Sequence, residues 1–114
     1  ALQVRNYGSA KVLRNMYGAA GEDFRAQCGI SLCGSWKIFC RENCEGGNIL
    51  IKTSNKTAQS GRYSIECVTG AGSGWFQFYV SISGLTQSDS GRYRCGVGDS
   101  SSSASYQDFR LVVV

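Results

Sequence analysis

The chain has 114 residues, enough for one domain and too few for two. It is 42% hydrophobic and 11% aromatic, which supports a packed core and argues against disorder, and it has no histidine, which excludes Ser-His-Asp and Cys-His catalysis and removes the commonest metal ligand. Twelve basic and eight acidic residues leave a net charge of +4, too weak and too scattered for nucleic acid to be a partner.

Turn signals recur about every ten residues: Tyr7-Gly8-Ser9, Gly18–Gly21, Glu45-Gly46-Gly47, Ser60-Gly61, Gly70–Gly74 and Ser88–Gly91. Between them apolar residues alternate with polar ones. Phe24, Ala26 and Cys28 share a face, as do Tyr63, Ile65 and Cys67, then Phe76, Phe78, Val80 and Ile82, and last Phe109, Leu111 and Val113. Successive strand side chains point to opposite faces, so each stripe predicts a half-buried β-strand, and no segment keeps a helical period. Short strands at this spacing predict an all-β sandwich or barrel. The serine-rich stretch Asp99–Ser105 falls between two strands and is expected to be a loop. Six cysteines in a chain of this length predict an oxidised, extracellular disulfide framework. The longest apolar runs, such as Leu111–Val114, fall far short of the ~20 residues of a membrane helix. With no signal peptide at its start, the chain is expected to be a mature or excised ectodomain.

The sharpest local pattern is Asp89-Ser90-Gly91-Arg92-Tyr93-Arg94-Cys95. A tyrosine two residues before a cysteine, at a corner leading into a strand, can reach back to the corner's backbone with its hydroxyl. That is the tyrosine corner of immunoglobulin domains, with Cys95 as the second inter-sheet cysteine and Cys28 as its expected partner. Leu85 ahead of the corner and Gly61-Arg62 before the Tyr63 strand fit the variable type, in which Arg62 pairs with Asp89. The fold expected is a variable-type immunoglobulin β-sandwich of about nine strands in two antiparallel sheets, filling residues 1–114. Trp36 and Phe39 compete for the core position of the third strand, and alternation alone does not decide between them.

Lys37-Ile38-Phe39-Cys40 resembles the lysine-aromatic-aromatic-cysteine pattern of a receptor group. The group comprises the leukocyte mono-immunoglobulin-like receptors, the triggering receptors expressed on myeloid cells and the polymeric immunoglobulin receptor. Ile49-Leu50-Ile51-Lys52-Thr53, Ser60-Gly61-Arg62-Tyr63-Ser64-Ile65 and Tyr93-Arg94-Cys95-Gly96-Val97 continue the likeness in order. Cys40-x3-Cys44 is most similar to the novel immunoglobulin-like transcripts of bony fish. The resemblance favours Phe39 as the core aromatic. It also implies a type I membrane receptor on the extracellular face of the plasma membrane, signalling through a tyrosine motif or an adaptor. Relatives recognise phospholipid in a cleft between the first and third binding loops, or bind antibody through the same loops.

Sequence alone leaves fifteen ways to pair six cysteines. The fold so implied reduces them. Cys33 and Cys67 fall at the binding end, and Cys44 lies in the turn just after Cys40, so the expected links are Cys28–Cys95, Cys33–Cys67 and Cys40–Cys44. A zinc site made from Cys28, Cys33, Cys40 and Cys44 strands Cys67 and Cys95, and no metal or cofactor is expected.

For function, Gly70-Ala71-Gly72-Ser73-Gly74 lacks the Gly-Lys-Ser/Thr ending of a phosphate loop, and no two carboxylates converge, so an enzyme is not expected. Binding is expected at the loop segments Gly29–Ser35, Ser54–Gln59 and Gly98–Tyr106. The candidate contacts are Gly29, Ile30, Ser31 and Leu32 from the first, and Asp99, Ser100, Ser101, Ser102, Ser103 and Tyr106 from the last. Trp75, on the polar face of its strand, is a candidate contact of its own. Lys37, Arg41, Lys52 and Lys56 put positive charge near the third and fourth strands, expected as a solvated basic face, with steering of acidic glycans as the functional alternative. Asn55-Lys56-Thr57 is a glycosylation sequon. The partners expected are a phospholipid, glycan or protein ligand, with the domain a monomer or weak dimer. A module that binds antibody and a domain that self-associates through the Trp36-to-Lys52 face are the alternatives.

Overall fold

The computed structural model describes residues 13–69 and 76–114. The turns expected at Tyr7-Gly8-Ser9 and Gly70–Gly74, and Trp75, lie outside the described residues. The alternating stripes become strands that pair into two sheets. One sheet runs in the order β1 (Arg14–Gly18), β9 (Ser105–Val113), β8 (Gly91–Gly98), β3 (Trp36–Arg41), β4 (Ile49–Thr53). The other runs β2 (Phe24–Ser31), β7 (Phe76–Ile82), β6 (Tyr63–Thr69), β5 (Thr57–Ser60). The pairing is antiparallel except at one edge, where β1 runs parallel to β9 with Met16 opposite Leu111. Helical structure among the described residues is confined to two 3₁₀ turns, Gly46–Asn48 and Gln87–Asp89.

The inner faces carry the apolar members of each stripe. Phe39, Phe78, Val80, Ile82, Tyr93, Phe109 and Leu111 are all buried. Phe39 stacks on Tyr93 with ring centroids 5.5 Å apart, and Tyr93 on Phe109 at 5.7 Å. This three-ring stack fills the core beside the Cys28–Cys95 link, which joins β2 to β8 across the sandwich. Trp36 stands on the opposite face of β3 and is only partly buried. A cross-link over 67 residues stabilises the fold by about 4 kcal/mol in the chain-entropy model. Cys33–Cys67 ties the chain after β2 to β6, and Cys40–Cys44 closes the turn after β3.

The base of the sandwich is closed by a polar network centred on Asp89, which is 4% exposed. Arg62 donates to both of its carboxylate oxygens, at 2.9 and 2.7 Å, and the Thr86 N–H donates to Oδ2 at 2.9 Å. The Tyr93 hydroxyl donates to the Asp89 carbonyl at 2.6 Å, the corner contact that the motif predicts. Arg41 donates to the carbonyl oxygens of Ser88 and Ser90 and to the Tyr93 hydroxyl.

Two outcomes follow from this base. Asp89→Ala leaves the Arg62 guanidinium and the Thr86 N–H without their acceptor and is expected to cost about 3 kcal/mol, read as a fall in the urea midpoint. Burial, the largest cause, pushes the Tyr93 hydroxyl up from its ordinary 10 to about 12. The neutral phenol is therefore favoured in the fold. Its stabilising share is complete below pH 10 and is lost as pH rises through about 12. Near-ultraviolet tyrosinate absorbance should show Tyr93 ionising only together with alkaline unfolding.

Candidate functional site

Strand β2 runs further into the first predicted loop than its sequence suggests. Gly29, Ile30 and Ser31 pair with Phe78, Gln77 and Phe76 of β7, past a bulge between Gln27 and Gly29. Gly29 takes φ 152°, a conformation that side-chain-bearing residues rarely adopt, and so carries the strand through the bulge. The first loop itself is residues 32–35, the second 54–56 and the third 99–104.

Between the first loop and the stems of the third lies a cleft of about 360 Å³. Gly29, Ile30 and Leu32 line one side with Ser35, and Val97, Gly98, Ser105 and Gln107 line the other. Ile30 is 60% and Leu32 59% exposed, whereas most large apolar residues of the described chain are covered. Val97 and Gln107 lie outside the expected binding segments, and Ser105 lies within one but is not among the expected contacts. Their signal was strand parity: Ser105 and Gln107 continue the inward stripe of Phe109 and Leu111 and turn polar where the sandwich opens.

The third loop lines little of this cleft. Asp99 and Ser100–Ser103 are exposed. Within the loop, the Ser103 N–H donates to the Ser100 carbonyl at 3.2 Å, and the Tyr106 hydroxyl donates to the Ser101 carbonyl at 2.8 Å. Tyr106 belongs to the outer face of the five-stranded sheet. There its ring lies so close over Gly96 that a Cβ at that position would stand 2.6 Å from it. Among the described residues no three His, Cys, Asp or Glu side chains gather to hold a metal ion.

The basic face expected from Lys37, Arg41, Lys52 and Lys56 does not form. Arg41 is spent on the base network, and Lys37 is fully buried. Lys37 shares the inward parity of Phe39, so its side chain extends inside the sandwich. Its Nζ donates to the carbonyls of Cys33 and Ser35, both at 2.7 Å. Desolvation holds the Lys37 ammonium below the ordinary lysine value. The first loop is thus fixed three ways, by these bonds, by Cys33–Cys67, and by the Ser35 N–H donating to the Leu32 carbonyl at 3.0 Å.

An arginine cluster sits instead on β8. Arg94 donates twice to Asp108 of β9, at 2.7 and 3.0 Å, and Arg92 once, at 2.8 Å. The Arg94 hydrogen bonds, opposed by burial and helped by Arg92, hold the Asp108 carboxyl below its ordinary value. Arg14 and Tyr106 line the same groove. Asn55 is exposed in the turn between β4 and β5, with its N–H on the Thr53 hydroxyl at 2.9 Å.

No protein-family model matches the chain. Over 66 residues it is 38% identical to the polymeric immunoglobulin receptor of Oryctolagus cuniculus, a match spanning 56% of this chain and 8% of that receptor. Its fold is similar to the natural killer cell receptor NKp44, a triggering partner in natural cytotoxicity (TM-score 0.71, 25% identity, 91% of this chain and 100% of that one). It is also similar to the second immunoglobulin domain of the mouse polymeric immunoglobulin receptor (TM-score 0.63, 24% identity, 90% and 97% of the two chains). The chain is an immunoglobulin-like domain with homology to the polymeric immunoglobulin receptor and to receptors like NKp44. Among the described residues no helix is long and apolar enough to cross a membrane.

Because its folded value is depressed, Asp108 contributes stability above the ordinary aspartate value of 3.8 that is lost as pH falls through the folded value. Asp108→Asn should flatten the acid limb of a plot of urea midpoint against pH, with the larger loss of midpoint at neutral pH.

Proposed function

We propose that the chain is a single variable-type immunoglobulin domain that serves as the ligand-binding ectodomain of a leukocyte innate immune receptor. It is displayed on the extracellular face of the plasma membrane and belongs with the triggering-receptor-like group, near the novel immunoglobulin-like transcripts. Its ligand is an amphiphile of the phospholipid class, held between the first loop and the stems of the third. The observation that carries this reading is the cleft flanked by Ile30 and Leu32. Water-exposed aliphatic side chains of this size gain about 1 kcal/mol each when a ligand covers their exposed half. They stand beside a concavity with few polar groups, the usual form of a small-molecule site. The work of the domain is binding and not catalysis.

The likeness to the polymeric immunoglobulin receptor favours a second reading, in which the same loop end binds antibody. Self-association through the Trp36-to-Lys52 face gains no support from burial. Among the described residues the exposed large apolar side chains are Tyr17, Ile30, Leu32 and Val114, none of them on β3 or β4. A glycan on Asn55 is compatible with either reading, because Asn55 does not line the cleft.

Flotation of the oxidised domain with vesicles of phosphatidylserine or phosphatidylcholine, with and without calcium, tests the first reading. Binding should be seen, and Ile30→Ser and Leu32→Ser should each weaken it about fivefold. No flotation with either lipid overturns it and makes antibody the ligand to try next.

A further inference from the structure

We propose that the crown of the first loop is an anion site whose charge is supplied from beneath by Lys37, and that it takes a phosphate or carboxylate group. The inference rests on the cleft reading above for where the remainder of such a ligand sits.

Lys37 has no exposed surface, and among the described residues no carboxylate forms an ion pair with it. Its ammonium is satisfied instead by two carbonyl dipoles, those of Cys33 and Ser35. A buried charge without a counterion is screened less than an exposed one, so more of its field reaches the nearest surface. The surface it underlies is the first loop.

The backbone of that loop carries the charge outward. In a planar trans peptide the N–H points opposite to the C=O, and the described residues contain no cis peptide. Turning the Cys33 and Ser35 carbonyls in to Lys37 therefore turns the N–H groups of Gly34 and Trp36 away from it. Trp36 stands in the β3–β8 ladder opposite Gly98. Gly34 is exposed, and its N–H has no protein acceptor among the described residues. The space about it is open, with nothing within 4 Å of a Cβ built there. An ammonium on the oxygen side of a peptide polarises it and strengthens its N–H as a donor. On either side of Gly34 in the chain are exposed Leu32 and the cleft-lining Ser35. The crown and the cleft thus form the polar and apolar halves of one site. Asp99, the acidic residue of the third loop, is exposed and screened by water and salt, whereas the buried Lys37 is screened much less.

The anion could belong to a lipid headgroup or be free in solution, and two arms separate these. In the first, ¹⁵N-labelled oxidised domain is titrated with inorganic phosphate and its amide resonances are followed. In the second, flotation with phosphatidylserine is compared with flotation with phosphatidylcholine. Both are run on the wild type, on Lys37→Met, which removes the charge, and on Gly34→Pro, which removes the donor while leaving Lys37 in place. Proline at the third position of the Leu32–Ser35 turn strains Cys33, so each variant is checked for folding by its urea midpoint, and the wild-type Gly34 amide decides the matter if either melts.

The expected result is a phosphate-dependent shift of the Gly34 amide and its loop neighbours, with apparent affinity about tenfold weaker in either variant, as for loss of a hydrogen bond to a charged group. Any preference for phosphatidylserine should shrink in parallel. A Gly34 amide that phosphate leaves unmoved, or a Gly34→Pro variant that binds phosphate like the wild type, overturns the inference. If both lipids float the domain equally and Gly34 stays silent, the cleft reading stands and this one falls. If phosphate moves Gly34 in a Lys37-dependent way and no vesicle binds, this one stands with a free anion as its source, and the lipid reading falls.

Discussion

Strand β3 must put Phe39 on the inner face of the sandwich, and that requirement shapes everything at the binding end. Phe39 is fully buried against Tyr93 and close to the Cys28–Cys95 cross-link. With a side-chain period of two, burying Phe39 commits Lys37 to the same face. A lysine there cannot reach water, so its ammonium must find acceptors within the protein. The available acceptors are the carbonyls of the loop that leads into the strand, and taking them bends the loop down onto the core. The conformation of the first loop therefore follows from the core packing two residues further along.

The two ends of the sandwich solve the same problem differently. At the base, Asp89, Arg62, Arg41 and Tyr93 satisfy one another and the nearby carbonyls, and they leave little of Asp89 exposed. At the loop end the buried charge is met by backbone dipoles alone, the inner stripe turns polar at Ser105 and Gln107, and Ile30 and Leu32 remain exposed. Among the described residues the loop end has no comparable side-chain network, and Cys33–Cys67 supplies a constraint of the kind such a network gives. The base is thus closed by side chains, and the loop end is held by backbone contacts and a cross-link that leave Ile30 and Leu32 uncovered.

The sandwich was legible because its signals are local. Alternation within a strand and the Asp89-to-Cys95 corner need no partner to be read, and once they are placed, few pairings of the remaining cysteines are geometrically open. The site was less legible, because its determinants are not local. The bulge at Gln27/Gly29 makes strand of residues that look like loop. A charge in a sequence suggests a surface, so Lys37 was grouped with Lys52, although the parity that buries Phe39 buries it too. The Arg94–Asp108 pair joins residues fourteen apart that come together only through the register of β8 on β9. Tyr106 belongs to the last loop in sequence, but its parity puts it on the outer sheet face, opposite to the cleft-lining Ser105 and Gln107.

The constraints on the first loop also decide what kind of binding it can support. A segment held by a disulfide, by a turn hydrogen bond and by a charged side chain beneath it loses little conformational freedom when a ligand docks. More of the gross interaction energy then survives as affinity, which matters for a cleft of only about 360 Å³ that can bury little area. Among the described residues the third loop is held by hydrogen bonds among its own serines and to Tyr106. Its stems line the cleft through Val97, Gly98, Ser105 and Gln107, and Ser103 and Ala104 pack closely on Gly98, so the loop's path is tied to that wall. The tightly held first loop thus forms the preorganised wall of the cleft, and the third loop contributes to the cleft through its stems rather than through its serine-rich tip.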